Sequence, residues 1–78
     1  MRLTFFGRLR DAIGVHERTC SPPAEIGDSD ALRAWIGADH PVLLDPDVRM
    51  ALDDRLVTDA TPIAGVGEVA FLPPVSGG

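Results

Sequence analysis

Hydrophobic and polar positions alternate near both ends of the chain, and this alternation is typical of pleated strands with one face in the core. Two stretches show it, residues 2–6 and residues 67–72. The side chains predicted to face the core are Leu3, Phe5, Val69 and Phe71. Those predicted to face outwards are Thr4, Phe6, Ala70 and Leu72. Because these two faces are the most regular in the chain, we expect the strands to pair in parallel at the centre of a sheet.

A helical period replaces this alternation in the middle of the chain. The apolar stripe consists of Leu32, Trp35 and Ile36. Asp28 or Ser29 can cap the first turn by accepting a hydrogen bond from a free amide. Gly37 is placed to end the helix. The sequence therefore predicts one main helix, with Trp35 as the largest side chain of the core.

Shorter signals complete the order of elements. A turn or two of helix ends at Gly14, and an edge strand follows over residues 15–20. A connector at 41–46 leads to a hairpin over 48–57, which turns at Asp53-Asp54. A helix laid across a mixed sheet of four to five strands is an α+β domain, and this order is typical of the β-grasp, or ubiquitin-like, fold.

The last strand is stopped by two prolines, because neither residue has an N–H to continue a ladder. Pro73-Pro74 also favours extended backbone, so we expect it to hold the tail away from the body of the domain. The residues after it have small side chains. We predict a β-grasp domain over residues 1–72 and an extended, flexible tail over residues 73–78. Such a tail can enter a narrow channel, although a frayed terminus is the alternative interpretation.

Composition limits the possible functions. The chain has 78 residues, enough for a single small core. Its net charge of −5 argues against nucleic acid and favours a partner with a positive surface. No apolar run approaches the length of a membrane span, so we expect a cytoplasmic protein. All seven basic side chains are arginine, so no lysine of the chain can capture an activated terminal carboxylate.

Candidate catalytic side chains are few. The sequence contains no nucleophile elbow, phosphate-binding loop or zinc-protease motif. A single cysteine, Cys20, excludes an internal disulfide, and we expect it to have only a packing role. His16 and His40 stand apart from other ligand types, so no metal site is predicted. The group with the most unusual presentation is the terminal carboxylate.

The end of the chain, Phe71-Leu72-Pro73-Pro74-Val75-Ser76-Gly77-Gly78, resembles the end of the small, sulfur-carrying subunit of molybdopterin synthase. The stretch from Leu3 to Arg10 and the pair Leu56-Val57 before Pro62 resemble this ubiquitin-like family at matching places. The resemblance therefore spans nearly the whole chain. Its specific part is the Phe-x-Pro-Pro-Val-Ser-Gly-Gly end, since a bare Gly-Gly end also occurs in ubiquitin and in the thiamine-pathway sulfur carrier.

The resemblance implies a mechanism and two partners. An ATP-using adenylyltransferase of the ubiquitin-activating type adenylates Gly78, and a sulfur donor then converts it to a thiocarboxylate. The large subunit of molybdopterin synthase transfers this sulfur to a pterin precursor, forming the dithiolene of the molybdenum cofactor. Two small and two large subunits form a heterotetramer, and the small subunit is not catalytic alone and binds no permanent cofactor. The residues that thread into the large subunit are Pro73, Pro74, Val75, Ser76 and Gly77.

A docking patch is predicted beside the tail. Phe6, Leu56 and Leu72 are large apolar side chains on outward positions of strands that we expect to adjoin, and such patches mark interaction surfaces. Isolated exposed apolar residues are also normal, so ordinary surface is the alternative. Three other functions stay open: a sulfur carrier of another pathway such as thiamine biosynthesis, a ubiquitin-like modifier joined to lysines, and an interaction module with an inert tail.

Overall fold

The computed structural model describes residues 1–74, which form a five-stranded sheet and two α-helices. The elements are β1 (Arg2–Phe5), α1 (Arg8–Ile13), β2 (Glu17–Thr19), α2 (Ser29–Gly37), β3 (Arg49–Leu52), β4 (Arg55–Val57) and β5 (Glu68–Leu72). A 3-10 turn over Pro41–Leu44 forms the predicted connector. Every predicted element is present, although β1, β2, β3 and β5 are one to three residues shorter than expected. The longest described helix has nine residues, and none is long and apolar enough to cross a membrane.

The sheet has the strand order β2-β1-β5-β3-β4, with β5 in the centre. β1 and β5 are parallel, with Phe5 opposite Phe71, and the other neighbours are antiparallel. The parallel ladder continues one step past β1, because the Phe6 N–H donates to the Phe71 carbonyl at 3.1 Å. The prediction of a central parallel pair in a β-grasp fold is confirmed, and β2 is an edge strand as expected.

The core lies between the sheet and α2. All four side chains predicted to face inwards are buried, and the rings of Phe5 and Phe71 stack with centroids 5.7 Å apart. Burial of an aromatic or aliphatic side chain contributes about 1.5–3 kcal/mol, so this layer supplies much of the stability. The buried apolar residues that complete it are Leu9, Leu32, Ile36, Leu43, Val48, Met50, Leu52 and Ile63.

The main helix begins as the sequence predicts. The Asp28 carboxylate accepts a hydrogen bond from the Ala31 amide at 2.8 Å, which satisfies one of the free N–H groups of the first turn. The helix ends at Gly37, where an added Cβ would collide with the Leu44 side chain. This glycine therefore ends the helix without a left-handed conformation, and its role is to let the 3-10 turn pack closely.

One core prediction is wrong. Trp35 is 37% exposed, whereas Leu32 and Ile36 are 0% and 7% exposed. Leu32 and Ile36 are four residues apart, so they lie on one line of the helix and face the sheet. Trp35 lies at the edge of that stripe, where it lines a cleft of about 110 Å³ with Cys20 and His40.

Candidate functional site: the root of the C-terminal tail

The turn between β3 and β4 holds the start of β5. Asp53 and Asp54 have positive φ angles of 47° and 70°, as a two-residue hairpin turn of type I′ requires. The Asp53 carboxylate accepts hydrogen bonds from the amides of Gly67 at 3.2 Å and Glu68 at 2.9 Å. The Asp53 amide donates in return to the Glu68 carbonyl at 2.9 Å. These bonds fix where the central strand begins, a role that the sequence signal for a turn did not reveal.

The outer face of the sheet is polar at this end. The Glu68 carboxylate accepts a hydrogen bond from the Thr4 hydroxyl at 2.9 Å and forms an ion pair with Arg2 at 3.0 Å. Thr4 is on the outer face, as its place in the strand predicts, yet it is buried. Its burial and its bond to Glu68 mean that this part of the outer face is already occupied by contacts within the chain.

The outer face becomes apolar towards the other end. Ala70 pairs with Ala51, and Ala51 pairs with Leu56, so the small alanine side chains leave Leu56 accessible and 54% exposed. Beside Leu56 lies a shallow groove of about 560 Å³. It is lined by Asp47, Arg49, Leu56, Leu72, Pro73 and Pro74. β3 separates β4 from β5, so Leu56 and Leu72 do not lie on adjoining strands as expected. They nevertheless line one groove, because Arg49 pairs with Leu72 across β3 and β5.

Phe6 lies on the other side of β5 from this groove. The residue is 40% exposed, and its ring contacts His16 edge to face with centroids 5.7 Å apart. The structure therefore unites two of the three predicted patch residues and places the third across the strand. The docking patch, Phe6, Leu56 and Leu72, flanks the root of the tail from both sides.

The root of the tail touches the body of the domain. Pro73 and Pro74 are half-buried, and Pro73 lies against Gly7. Gly7 has φ 56° and ψ −135°, a conformation open in practice only to glycine. The prolines were expected to hold the tail away from the body, whereas Pro73 itself packs on it. The predicted threading residues Val75, Ser76 and Gly77, and the predicted reactive Gly78, lie outside the described residues.

Within residues 1–74, the groove at this root has one carboxylate, that of Asp47, and no cysteine or histidine. Burial raises the pKa of the Cys20 thiol, and the nearby N-terminal ammonium opposes the shift. A thiol with a raised pKa is mostly protonated at neutral pH and is a poor nucleophile. No group of three or more His, Cys, Asp or Glu side chains within residues 1–74 is arranged to hold a metal ion. What the described site offers is an apolar surface and a fixed exit for the tail.

These features define a class of protein: a β-grasp domain whose central strand ends in two prolines beside an apolar patch. The chain belongs to the ThiS family, whose profile matches residues 3–78. A solved structure from Pyrococcus furiosus, provisionally named molybdopterin converting factor, subunit 1, has a similar fold. It superposes with a TM-score of 0.74 at 23% identity, over 95% of each chain. No curated protein matches the chain.

Proposed function

We propose that this protein is the sulfur-carrier subunit of a molybdopterin synthase, with the sulfur held as a thiocarboxylate at Gly78. The observation that carries the proposal is the position of β5. This strand runs through the centre of the sheet and delivers Pro73-Pro74 to the surface between the parts of the docking patch. Membership of the ThiS family supports a sulfur-carrier role for this arrangement.

The chemistry requires activation, because a carboxylate is a poor electrophile at neutral pH. A carboxylate oxygen of Gly78 attacks the α-phosphorus of ATP and pyrophosphate leaves, which gives an acyl adenylate. Hydrosulfide released by a sulfur donor then attacks the acyl carbon, so a C–S bond forms as the C–O bond to AMP breaks, which leaves the thiocarboxylate and AMP. The adenylyltransferase and the large subunit supply the acid–base groups.

Both partners bind the docking patch. Leu56 and Leu72 offer apolar area at the groove, and Phe6 offers it on the opposite flank of the tail. Apolar anchors at the centre of an interface provide most of its binding energy. The net charge of −5 steers the chain towards a partner with a positive surface. The tail then enters the active site of the large subunit, within a heterotetramer of two small and two large subunits.

A sulfur carrier of another pathway, such as thiamine biosynthesis, is the second candidate, and the match to the ThiS family favours it. The sequence Phe71-Leu72-Pro73-Pro74-Val75 favours the molybdopterin pathway, since thiamine-pathway carriers generally lack this element. The β-grasp fold is also compatible with a ubiquitin-like modifier. The three functions differ in what receives the activated terminus: a pterin precursor, a thiamine precursor or a lysine side chain.

The experiment measures whether sulfur replaces an oxygen atom of the terminal carboxylate. We expect the protein, incubated with the adenylyltransferase, ATP and a sulfur donor, to gain the mass difference between sulfur and oxygen. The product should then yield dithiolene with the large subunit and the pterin precursor. Deletion of Gly78, or one residue added after it, should abolish transfer without changing the thermal unfolding measured by circular dichroism. Transfer at the normal rate by either variant would disprove the carrier mechanism, and adducts with other proteins would indicate a modifier.

A further inference from the structure

The parallel pairing of β1 and β5 brings Gly7 and Pro73 to the same level of the sheet. Phe5 is paired with Phe71 in parallel strands. Gly7 lies two residues after Phe5, and Pro73 lies two residues after Phe71. At this level the chains separate. β1 turns away at Gly7 into α1, whereas β5 continues into Pro73 and the tail.

The contact between these two residues leaves no room for a side chain. A methyl group on the Gly7 Cα would lie 2.9 Å from Pro73 Cγ, closer than carbon atoms approach in folded proteins. The proline ring cannot swing aside as a flexible side chain would, because Cγ is bonded to two atoms that are both tied to the backbone. To make room, the pucker of this ring or the backbone at the root of the tail must change.

We propose that Gly7 is a positioning residue for sulfur transfer, because its bare backbone seats the Pro73 ring and so sets the direction in which the tail leaves the sheet. The inference rests on the proposed carrier function. Five residues separate Pro73 from Gly78 in the sequence, and an extended chain of that length spans about 16 Å. When the large subunit holds the tail extended, a small change of angle at the root displaces the terminal carboxylate by several ångströms relative to the docked domain, whereas an error of about 1 Å can slow a positioned reaction about 100-fold.

The chain offers a matched control at the other end of the same helix. Gly14 ends α1 with a φ of 97°, so alanine is strained there as well, but no atom lies within 4 Å of its added Cβ. We expect Gly7→Ala to lower the rate of sulfur transfer from thiocarboxylated carrier to precursor at least tenfold at saturating large subunit. Gly14→Ala should stay within twofold of the wild type. Equal losses in the two variants would assign the effect to backbone strain and overturn the proposal.

A second variant tests whether Gly7 acts through the proline ring. Pro73→Ala removes Cγ and Cδ and leaves Cβ, which is 3.9 Å from the methyl group of an alanine at position 7. This change alone should slow transfer, because the root loses its stiffness. Adding Gly7→Ala to Pro73→Ala should then cost at least threefold less than Gly7→Ala costs in the wild-type background, because only the backbone strain at position 7 remains. An equal loss in the two backgrounds would mean that Gly7 does not act through Pro73.

A measurement without sulfur separates this inference from the proposed function. In the wild-type protein, nuclear Overhauser effects should connect the Gly7 α-protons with the Pro73 ring, and Gly7→Ala should shift the Pro73 and Pro74 resonances. Gly14→Ala should leave those resonances unchanged. Absence of the Gly7–Pro73 effects would overturn the inference whatever the assay shows. If they are present and the wild-type chain accepts no sulfur, the proposed function fails and the positioning of the tail by Gly7 stands.

Discussion

At the scale of single residues, the ends of β5 are determined by contacts with two residues of positive φ, Asp53 and Gly7. The Asp53 carboxylate accepts hydrogen bonds from the Gly67 and Glu68 amides at the start of the strand, and Gly7 packs against Pro73 just after its end. Both residues come from other parts of the sequence. The central strand is thus held by hydrogen bonds at its start and by packing just after its end. These two contacts, the second between Gly7 and Pro73, fix the position of the strand that leads into the tail.

The clamp at Asp53 can be tested with its neighbour as control. Asp53→Ala removes the acceptor of the Gly67 and Glu68 amides, and hydrogen bonds to a charged group contribute about 1.5–3 kcal/mol. Because the turn is exposed and water replaces part of this, we expect a loss of about 1–2 kcal/mol in urea unfolding. Asp54→Ala carries a similar left-handed strain, but the Asp54 carboxylate has no hydrogen bond within residues 1–74. Equal losses in the two variants would mean that the clamp contributes nothing.

At the scale of elements, α2 shows how a short helix divides its side chains between core and cleft. Its cap and its end lie where the sequence predicts, at Asp28 and Gly37. Its stripe is narrower than the pattern of apolar residues suggests, since Leu32 and Ile36 face the sheet and Trp35 does not. Leu32 and Ile36 form one line of side chains against the sheet, and the indole lies beside that line.

Two substitutions by alanine in this helix should distinguish a core side chain from one at the edge of the core. Leu32→Ala removes a side chain with no exposed surface and should cost about 2–5 kcal/mol. Trp35→Ala should cost about 1–2 kcal/mol, well below the 3–5 kcal/mol of a buried tryptophan, because a third of its surface already contacts water. Urea unfolding followed by circular dichroism measures both values. A loss for Trp35→Ala as large as that for Leu32→Ala would place the indole in the core.

At the scale of the whole molecule, the predicted docking patch is formed by β4, β5 and the residue after β1, around the root of the tail. The outer face is polar near Glu68, where Arg2 and Thr4 bind it, and apolar near Leu72. In the proposed function, a partner that binds the tail meets the apolar end of the sheet first. Leu56 is the most exposed of the three patch residues and the one whose change should disturb the fold least.

Leu56→Asp should separate docking from folding. At an exposed position we expect the free energy of unfolding to change by no more than about 0.5–1 kcal/mol. Binding to the large subunit, measured by calorimetry, should weaken by more than about 2 kcal/mol if the groove is an interface centre. Val42→Asp is the control, because Val42 is 39% exposed and does not line the groove. Normal binding by Leu56→Asp would mean that the partner holds the tail without the groove.

The sequence by itself determined the phase of the first and last strands, the capped helix, the order of elements and the end of β5 at the prolines. These follow from local rules: alternation sets which side chains face the core, and proline cannot donate to a ladder. The β-grasp fold could be predicted for this reason, since one long helical stripe between strands of clear phase leaves few packings.

Only the tertiary structure decided that Trp35 lies in a cleft, that Asp53 clamps β5 and that Gly7 seats Pro73. Each depends on which distant segments become neighbours. The pairing of β3 and β1 with the two sides of β5 brings Asp53 and Gly7 to opposite ends of the strand. The periodicity of the sequence predicts which face of an element a side chain lies on. Its contacts and its exposure depend on the strand order and on the shape of the surface opposite.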